Sequence, residues 1–335
     1  MMKNLYSLIL AAGCLMLLVS GYGNDGSDAG NPLATGEKAK KKYPDAKSLM
    51  AAANKGDVDA QYLLGIKYKN GDGMIKDIGE AAKWFRKAAA QEYAPAQYEL
   101  AMCYESLVDE NGRQLDEATA ARAAYALYRA AALKGYAPAQ LETGLCHRET
   151  NRGTYANPHE ALKWIKAAAE QGYLEAQTTL GDCYSDEWYG VNFNEAVKWY
   201  RKAAERGDSY AQLRMASAYL SGRGVERDPM ESAKWARKSA DQGNATAPLL
   251  VGTLYLDGYP EKNPAEALRW LKLAAEQTQN QAAMRRAKFF IGGCYEKGEG
   301  VKKDLKEALK WYYSSGDPMA SQAIDRVQME MRKGK

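Results

Sequence analysis

The sequence contains seven copies of one pattern, and this internal repetition constrains the fold more than any other feature. Each copy begins with Ala-Gln or a variant of that pair, at Ala60, Ala96, Ala139, Ala176, Ala211, Ala247 and Ala287. The spacing of 35 to 43 residues is typical of helical-hairpin arrays, in which each repeat packs against its neighbours. We therefore expect a single array to account for most of the 335 residues, without a second type of core.

The first predicted helix of each repeat, helix A, follows the Ala-Gln pair. An apolar residue, then glycine or alanine, then an aromatic residue three positions later recur, as in Leu64 to Tyr68 and Ile291 to Tyr295. Apolar residues four positions apart lie on one face of a helix. The small residue between them would allow a neighbouring helix to approach closely.

The second predicted helix, helix B, carries a signature that six of the seven repeats share. A tryptophan occurs at Trp84, Trp164, Trp199, Trp235, Trp270 and Trp311. An Asp or Asn precedes it by seven residues, at Asp77, Asn157, Asn192, Asp228, Asn263 and Asp304. A glutamate follows that cap by three residues, at Glu80, Glu160, Glu195, Glu231, Glu266 and Glu307. This spacing predicts a capping box, in which the cap accepts an early helix N–H and the glutamate accepts the N–H of the cap.

Repeat two departs from this signature. Leu127 replaces the tryptophan, no cap stands seven residues before it, and residues 108–118 lengthen the connection. We expect either a longer helix B or a protruding loop in this repeat. In four repeats a glycine follows helix B, where a left-handed residue would close the helix, at Gly135, Gly172, Gly207 and Gly243.

The repeats resemble the Sel-one-like repeat family, a relative of the tetratricopeptide repeats. The segments that carry the resemblance are Ala60 to Gly65, Gly222 to Val225 and Trp199 to Ala204. It covers about residues 45–316 and implies an all-α, right-handed superhelical solenoid of about seven antiparallel helix pairs. It also implies scaffold or adaptor roles in bacterial envelopes, in host–microbe contacts and in protein quality control. It does not identify a partner, because one fold serves many functions.

The two ends of the chain do not follow the repeat. Lys3, the apolar run from Leu5 to Val19 and the small residues after it predict a signal peptide over residues 1–23. A membrane anchor and lipidation at Cys14 remain alternatives; in each case we expect an exported protein that is periplasmic, envelope-associated or secreted. Residues 24–44 are predicted to form a flexible linker, and residues 317–335 a capping helix and tail.

Four cysteines share one helix A position, at Cys103, Cys146, Cys183 and Cys294. Helices pack about 8–10 Å apart, whereas a disulfide requires Cα atoms within about 7 Å, so buried free thiols are expected. A cysteine-rich branch of the family pairs the helix A cysteine with another cysteine in the same repeat. No repeat here has that second cysteine, so the β-lactam-related activity of that branch is not expected.

The sequence contains little that could support catalysis. Its two histidines are His147, in place of a helix A aromatic residue, and His159, in the first turn of a helix B. The Gly-x-Gly motifs between helices A and B have no strand before them, so they predict turns rather than phosphate-binding loops. The formal net charge of +4 is too small to indicate nucleic acid as a partner. We expect neither an enzyme nor a bound cofactor or metal.

The tryptophans of helix B are expected in the core, because each holds a fixed place in the repeat. Trp188 is the exception: it belongs to no repeat position and is a candidate for a surface contact.

The predicted binding surface is the concave groove that helix A lines in tetratricopeptide arrays. Transferred by position, its exposed stripe over repeats one to three contains Tyr62, Ile66, Lys69, Tyr98, Met102, Glu105, Leu141, Leu145 and Arg148. Aromatic and apolar side chains with charges at the rim are typical of sites for a protein or peptide. The alternative for these side chains is packing against neighbouring helices. The alternative function is a cell-wall-associated enzyme or a β-lactam- or muropeptide-binding protein.

Overall fold

The computed structural model describes residues 42–106, 109, 113–149 and 152–333. They belong to two compact blocks that divide between Val191 and Asn192. We call them the N-terminal block, residues 42–191, and the C-terminal block, residues 192–333. The predicted signal peptide, Cys14 and most of the predicted linker lie outside the described residues.

The N-terminal block contains one leading helix and seven helices of the repeats. The leading helix is α1 (Ala46–Asn54). The others are α2 (Val58–Asn70), α3 (Ile78–Ala90), α4 (Ala94–Glu105), α5 (Glu117–Leu133), α6 (Ala137–Arg148), α7 (Pro158–Glu170) and α8 (Leu174–Ser185). A short 3₁₀ turn (Glu187–Tyr189) follows α8. Consecutive helices pack against each other, so helices A and B of repeats one to three are α2–α3, α4–α5 and α6–α7.

The C-terminal block begins with helix B of repeat four and contains the three remaining pairs. Its helices are α9 (Phe193–Glu205), α10 (Ser209–Ser221), α11 (Pro229–Asp241), α12 (Ala247–Asp257), α13 (Pro264–Glu276), α14 (Gln281–Lys297), α15 (Leu305–Ser315) and α16 (Ala320–Lys333). No β-strand occurs in the described part of the chain. The predicted fold class is confirmed: the chain is an all-α solenoid of consecutive helix pairs.

The small residue of helix A permits the close packing that the sequence predicts. A Cβ added at Gly65 would lie 2.5 Å from the Phe85 ring of helix B. A Cβ added at Gly144 would lie equally close to Ile165, at 2.5 Å. Both distances are shorter than carbon atoms tolerate, so these positions accept no side chain unless helix B moves.

All six predicted N-caps of helix B are confirmed. In each repeat the cap side chain accepts a hydrogen bond from the backbone N–H of the residue three positions later. The predicted role of the glutamate is wrong. In five repeats the N–H of the cap donates to a carbonyl near the end of helix A, as Asp77 does to Tyr68 at 2.9 Å. With that N–H already bonded, the glutamate forms an ion pair with the lysine or arginine three residues later, as Glu80 does with Lys83.

Of the two alternatives predicted for repeat two, a longer helix B or a protruding loop, the structure shows the longer helix. Helix B of this repeat, α5, has 17 residues and begins at Asp116, whose side chain accepts the N–H of Thr119 at 2.9 Å. The tryptophan-bearing helices B have 11 to 13 residues. The extra turn explains why no cap occurs at the usual distance from Leu127.

The predicted helix-closing glycines adopt the left-handed conformation, with φ between +82° and +97° at Gly135, Gly172, Gly207 and Gly243. In repeat one the same position is Glu92, which adopts φ +63° without being glycine.

The last helix, α16, packs against α15 and covers the end of the array. Val327 is fully buried between them, with Ile324 and Met331 partly buried beside it. Two ion pairs attach this segment to α14, Arg326 with Glu296 at 2.7 Å and Arg286 with Asp317 at 2.8 Å.

Candidate functional site

The predicted groove residues differ in how far solvent reaches them. Tyr62 and Leu141 were expected on the exposed stripe, but they are buried, with 6% and 1% of their surfaces accessible. The Tyr62 ring packs against Phe85 of helix B and against Tyr93, with centroids 5.9 and 5.4 Å away. Tyr93 directly precedes the next helix A, so the link between repeats covers this position. Tyr62 and Leu141 therefore support the face from beneath.

Five other residues of the predicted stripe are partly exposed: Ile66, Tyr98, Met102, Leu145 and Arg148. Tyr98 keeps part of its surface accessible although its ring contacts Tyr128 and Tyr136, with centroids 5.6 and 5.7 Å away. Apolar and aromatic groups held rigidly by neighbouring rings lose little conformational entropy when a partner covers them.

Ionic side chains run along the same helices, and they include Lys69 and Glu105 of the predicted stripe. Lys69 of α2 bonds Glu99 of α4 at 2.7 Å. Arg152, from the connection after α6, lies between Glu105 and Glu142 and contacts both carboxylates. Glu99 and Glu142 could have been found from the sequence, because each lies two residues after the Gln of an Ala-Gln pair.

Glu142 has an unusual electrostatic environment. Burial raises the pKa of its carboxyl to about 7, and this effect outweighs the opposing charge of Arg152, while Glu105 and Glu175 add to the rise. Burial also raises the pKa of Tyr98, with a further contribution from the nearby charge of Glu142. A carboxylate that is poorly solvated in this way gains more from an added cation than one in water does.

Six side chains from α4, α6, α8 and the N-cap positions of α6 and α8 form one electrostatic cluster. They are Tyr98, Glu99, Tyr136, Glu142, Tyr173 and Glu175, and we call them the tyrosine–glutamate cluster. The Tyr173 hydroxyl donates to Glu175 at 3.3 Å. The cluster combines aromatic faces with carboxylates beside the exposed part of the predicted stripe.

The candidate catalytic residues occupy structural places. His147 is buried, with its Nε2 3.2 Å from the Tyr125 hydroxyl and its Nδ1 3.3 Å from the Tyr155 carbonyl. His159 is exposed in the first turn of α7. No group of three His, Cys, Asp or Glu suited to a metal ion occurs within the described ranges.

The four repeat cysteines, Cys103, Cys146, Cys183 and Cys294, are buried and free, as predicted. Burial raises the pKa of the Cys103 thiol to about 12, so the reactive thiolate is scarce at neutral pH. These thiols therefore behave as small apolar side chains of the core.

Trp188 and the helix B tryptophans occupy different environments. Trp84, Trp199, Trp235 and Trp270 are buried, whereas Trp164 and Trp311 are partly buried. Lysines cover several of these rings, as Lys87 does over Trp84 at 3.7 Å. Trp188 is 43% exposed and contacts Tyr189 edge to face.

Across the described residues, no helix has the length and apolar character needed to cross a membrane.

Comparisons with known proteins agree with this architecture. A family model described as Sel1 repeat matches residues 58–93, 137–173, 174–208, 209–244, 249–278 and 285–317. The unmatched stretch, residues 94–136, is repeat two with its longer helix B. No curated protein matches the chain.

Two solved structures are similar to it. One is a protective antigen of uropathogenic Escherichia coli strains that displays an SLR fold, with 30% sequence identity, a TM-score of 0.77 and 89% of this chain covered. This chain spans 64% of that longer protein. The other is a Sel1 repeat protein from Oxalobacter formigenes, with 34% identity, a TM-score of 0.60 and coverage of 71% of this chain and 93% of that one. The matched repeats extend over more than half of the sequence, and the chain belongs to the Sel1 repeat family.

Proposed function

We propose that this protein is an exported scaffold that binds a protein or peptide through the helix A face of repeats one to three. Sel1 repeat proteins generally mediate protein–protein interaction and are generally not catalysts. The observation that carries the proposal is the row of partly exposed side chains Ile66, Tyr98, Met102, Leu145 and Arg148 on α2, α4 and α6. Tyr62 and Leu141 belong to the same stripe as its buried support.

Such a row suits a partner because of how binding energy is distributed in interfaces. A few aromatic, apolar and arginine side chains at the centre usually carry most of it, with charged groups at the rim. Here Tyr98 and Met102 are neighbours one turn apart on α4, and the same stripe contains the ion-paired Lys69 and Glu105.

Replacing Tyr98, Met102 and Leu145 together by Ala tests the binding face. The matched control replaces a tyrosine, a methionine and a leucine that are exposed elsewhere, Tyr313, Met329 and Leu133. We expect the control to retain a partner crosslinked and recovered from the native envelope, and the Tyr98 variant to lose it. Circular dichroism melting checks that both variants fold. Equal recovery by both folded variants would exclude this face.

The export part of the proposal rests on residues 1–23, with Lys3 ahead of an apolar run. Cell fractionation of the whole chain and of a chain lacking residues 2–23 tests it. We expect only the whole chain in the envelope or the medium; the same distribution for both would refute export through this segment.

A further inference from the structure

Carboxylates exceed cations on the helix A face of repeats two to four. Helices α4, α6 and α8 contain five acidic residues and one arginine: Glu99, Glu105, Glu142, Glu175 and Asp182 against Arg148. Lys69 and Arg152 reach this face from neighbouring segments and pair with Glu99, Glu105 and Glu142. Two negative charges remain in excess after these pairs, so the face is complementary to a positively charged ligand.

A lysine of this chain already binds at the start of the same face. The Lys42 ammonium lies 2.8 Å from Asp59 and 3.3 Å from Asp57, and its distance to the centre of the Tyr43 ring is 5.1 Å. The Tyr43 hydroxyl donates to Asp57 at 2.7 Å. A cation held between carboxylates and a tyrosine is therefore an arrangement that this fold forms in repeat one.

The tyrosine–glutamate cluster provides the same combination of groups in the following repeats. The Tyr173 hydroxyl donates to Glu175. The Tyr98 ring, which Tyr136 contacts, lies close enough to Glu142 and Glu99 for their charges to influence its ionisation. Aromatic faces attract ammonium and guanidinium groups, and carboxylates form charge-assisted hydrogen bonds with them. The buried position of Glu142 strengthens the second of these interactions, because water screens the charge of the carboxylate less.

We propose that the tyrosine–glutamate cluster binds lysine or arginine side chains of an extended basic segment in another protein. The inference rests on the proposed function, since it names the chemical class of the partner for the same face. Charge complementarity selects this occupant: an acidic segment would meet like charges, and a purely apolar one would leave the excess negative charge of the face uncompensated.

The probe is a fluorescein-labelled peptide of alternating lysine and alanine, compared with a glutamate–alanine peptide of equal length. Fluorescence anisotropy measures binding of each to the full chain. The test variant replaces Glu99, Glu142 and Glu175 by Gln. The control variant removes the same charge elsewhere, by replacing the exposed Glu117, Glu170 and Glu205 by Gln.

We expect the lysine peptide to bind and the glutamate peptide not to bind. The Glu142 triple variant should bind the lysine peptide about tenfold more weakly or worse, since charged hydrogen bonds are lost. The control should change by less than about twofold, because screened charges outside the face contribute little. Absence of lysine-peptide binding, or equal loss in both variants, would overturn the proposal. The proposed function itself would still stand if Tyr98, Met102 and Leu145 remained necessary for partner capture.

The chain has a lysine-rich segment of its own, which a third variant examines. Replacing Lys38, Lys40 and Lys41 by Gln should leave affinity for the peptide unchanged if the occupant is another protein. Clearly tighter binding by this variant would identify these lysines as a competing occupant, and the assignment to another protein would then be wrong.

Discussion

The two blocks share one repeat architecture but present different surfaces. Residues 42–191 contain 17 basic and 21 acidic residues, whereas residues 192–333 contain 24 basic and 18 acidic residues. The difference extends to helix A: α4, α6 and α8 contain five carboxylates and one arginine, while α10, α12 and α14 contain five basic and two acidic residues. The capping contacts of helix B are the same in both blocks. Substitutions that leave these contacts intact can therefore change the surface charge of each block without changing its repeat architecture.

The connections between helices A and B also differ between the two blocks. Two residues before the cap of helix B, the N-terminal block has Ile75 and Tyr155, which are 88% and 92% exposed. The C-terminal block has Glu226, Glu261 and Lys302 at that position, all exposed. At this position, exposed apolar groups thus occur in the block that carries the proposed binding face, where a partner would compensate for their exposure.

Among the largest effects that we predict is the one at Glu296 of α14, a residue that contrasts with Glu142 of α6 in the N-terminal block. Glu296 of α14 accepts hydrogen bonds from Tyr312 at 2.6 Å and from Arg326 at 2.7 and 2.8 Å. Burial alone would raise its pKa, but these partners outweigh burial and lower it. Glu296→Gln should destabilise the C-terminal block by about 2 kcal/mol, because the buried carboxylate loses its charge-assisted hydrogen bonds from Tyr312 and Arg326. Hydrogen exchange of α14 to α16 measures the loss.

The lowered pKa also fixes the pH dependence of this contribution. It is present above the unfolded pKa of a glutamate and is lost as pH falls through the lower, folded value. The substitution should therefore matter at neutral pH and much less in strong acid. An undiminished effect in acid would contradict the ion pair as its source.

Removing the close approach of helices A and B should affect both blocks alike. A Cβ at Gly144 would lie 2.5 Å from Ile165, and a Cβ at Gly252 would lie 2.7 Å from Leu271. Each Gly→Ala substitution should destabilise its own block by about 2 kcal/mol, because helix B has to move. Gly293→Ala is the control: the nearest atom to its Cβ would be 3.6 Å away, and it should be neutral or stabilising. Denaturant unfolding measures all three variants.

Losing one helix B cap should cost less, and again equally in the two blocks. Asn157 and Asp228 each accept two N–H groups, at 3.1 and 3.2 Å and at 2.9 and 3.1 Å. Substitution of either by Ala should destabilise by about 1 kcal/mol. Exchange rates in the first turns of α7 and α11 provide the measurement. A large difference between the two variants would show that the capping contacts are not equivalent.

The smallest effect that we predict is at Glu142, and its sign is opposite to that of the effect at Glu296. Because the pKa of Glu142 is raised to about 7, its charged form is less favourable in the folded chain than in the unfolded chain. Its contribution to stability is complete below the unfolded pKa and is lost as pH rises through about 7. Glu142→Gln should therefore stabilise the N-terminal block by about 1 kcal/mol near pH 8 and have little effect near pH 4. Denaturant unfolding of the variant and of the unsubstituted chain at the two pH values measures this difference. Destabilisation near pH 8 would refute the raised pKa.

Much of the fold could be predicted from the sequence because its signals are local. The positions of Asp77 and Trp84 are fixed by contacts within one helix and its cap, and repetition reveals them six times. The glutamate of the predicted capping box could not be placed in this way. The cap N–H that it was expected to accept is donated to Tyr68 in the preceding helix, and such a bond requires the tertiary structure.

The candidate site was less predictable for the same reason. Helical periodicity placed Tyr62 and Tyr98 on one stripe, but Tyr62 is buried and Tyr98 is partly exposed. What distinguishes them is how neighbouring repeats cover them, which no pattern within one repeat contains. The raised pKa of Glu142 likewise depends on burial and on Arg152, Glu105 and Glu175, which are distant in sequence.

The hydrogen bond from the cap N–H to the end of helix A has a consequence for how such chains grow. It connects Asp77 to Tyr68, Asp228 to Tyr219 and Asp304 to Tyr295, so the N–H of the cap is bonded within its own repeat. Duplicating or deleting a whole repeat of this kind leaves that N–H bonded. This contact therefore sets no limit on the number of repeats that a chain can contain.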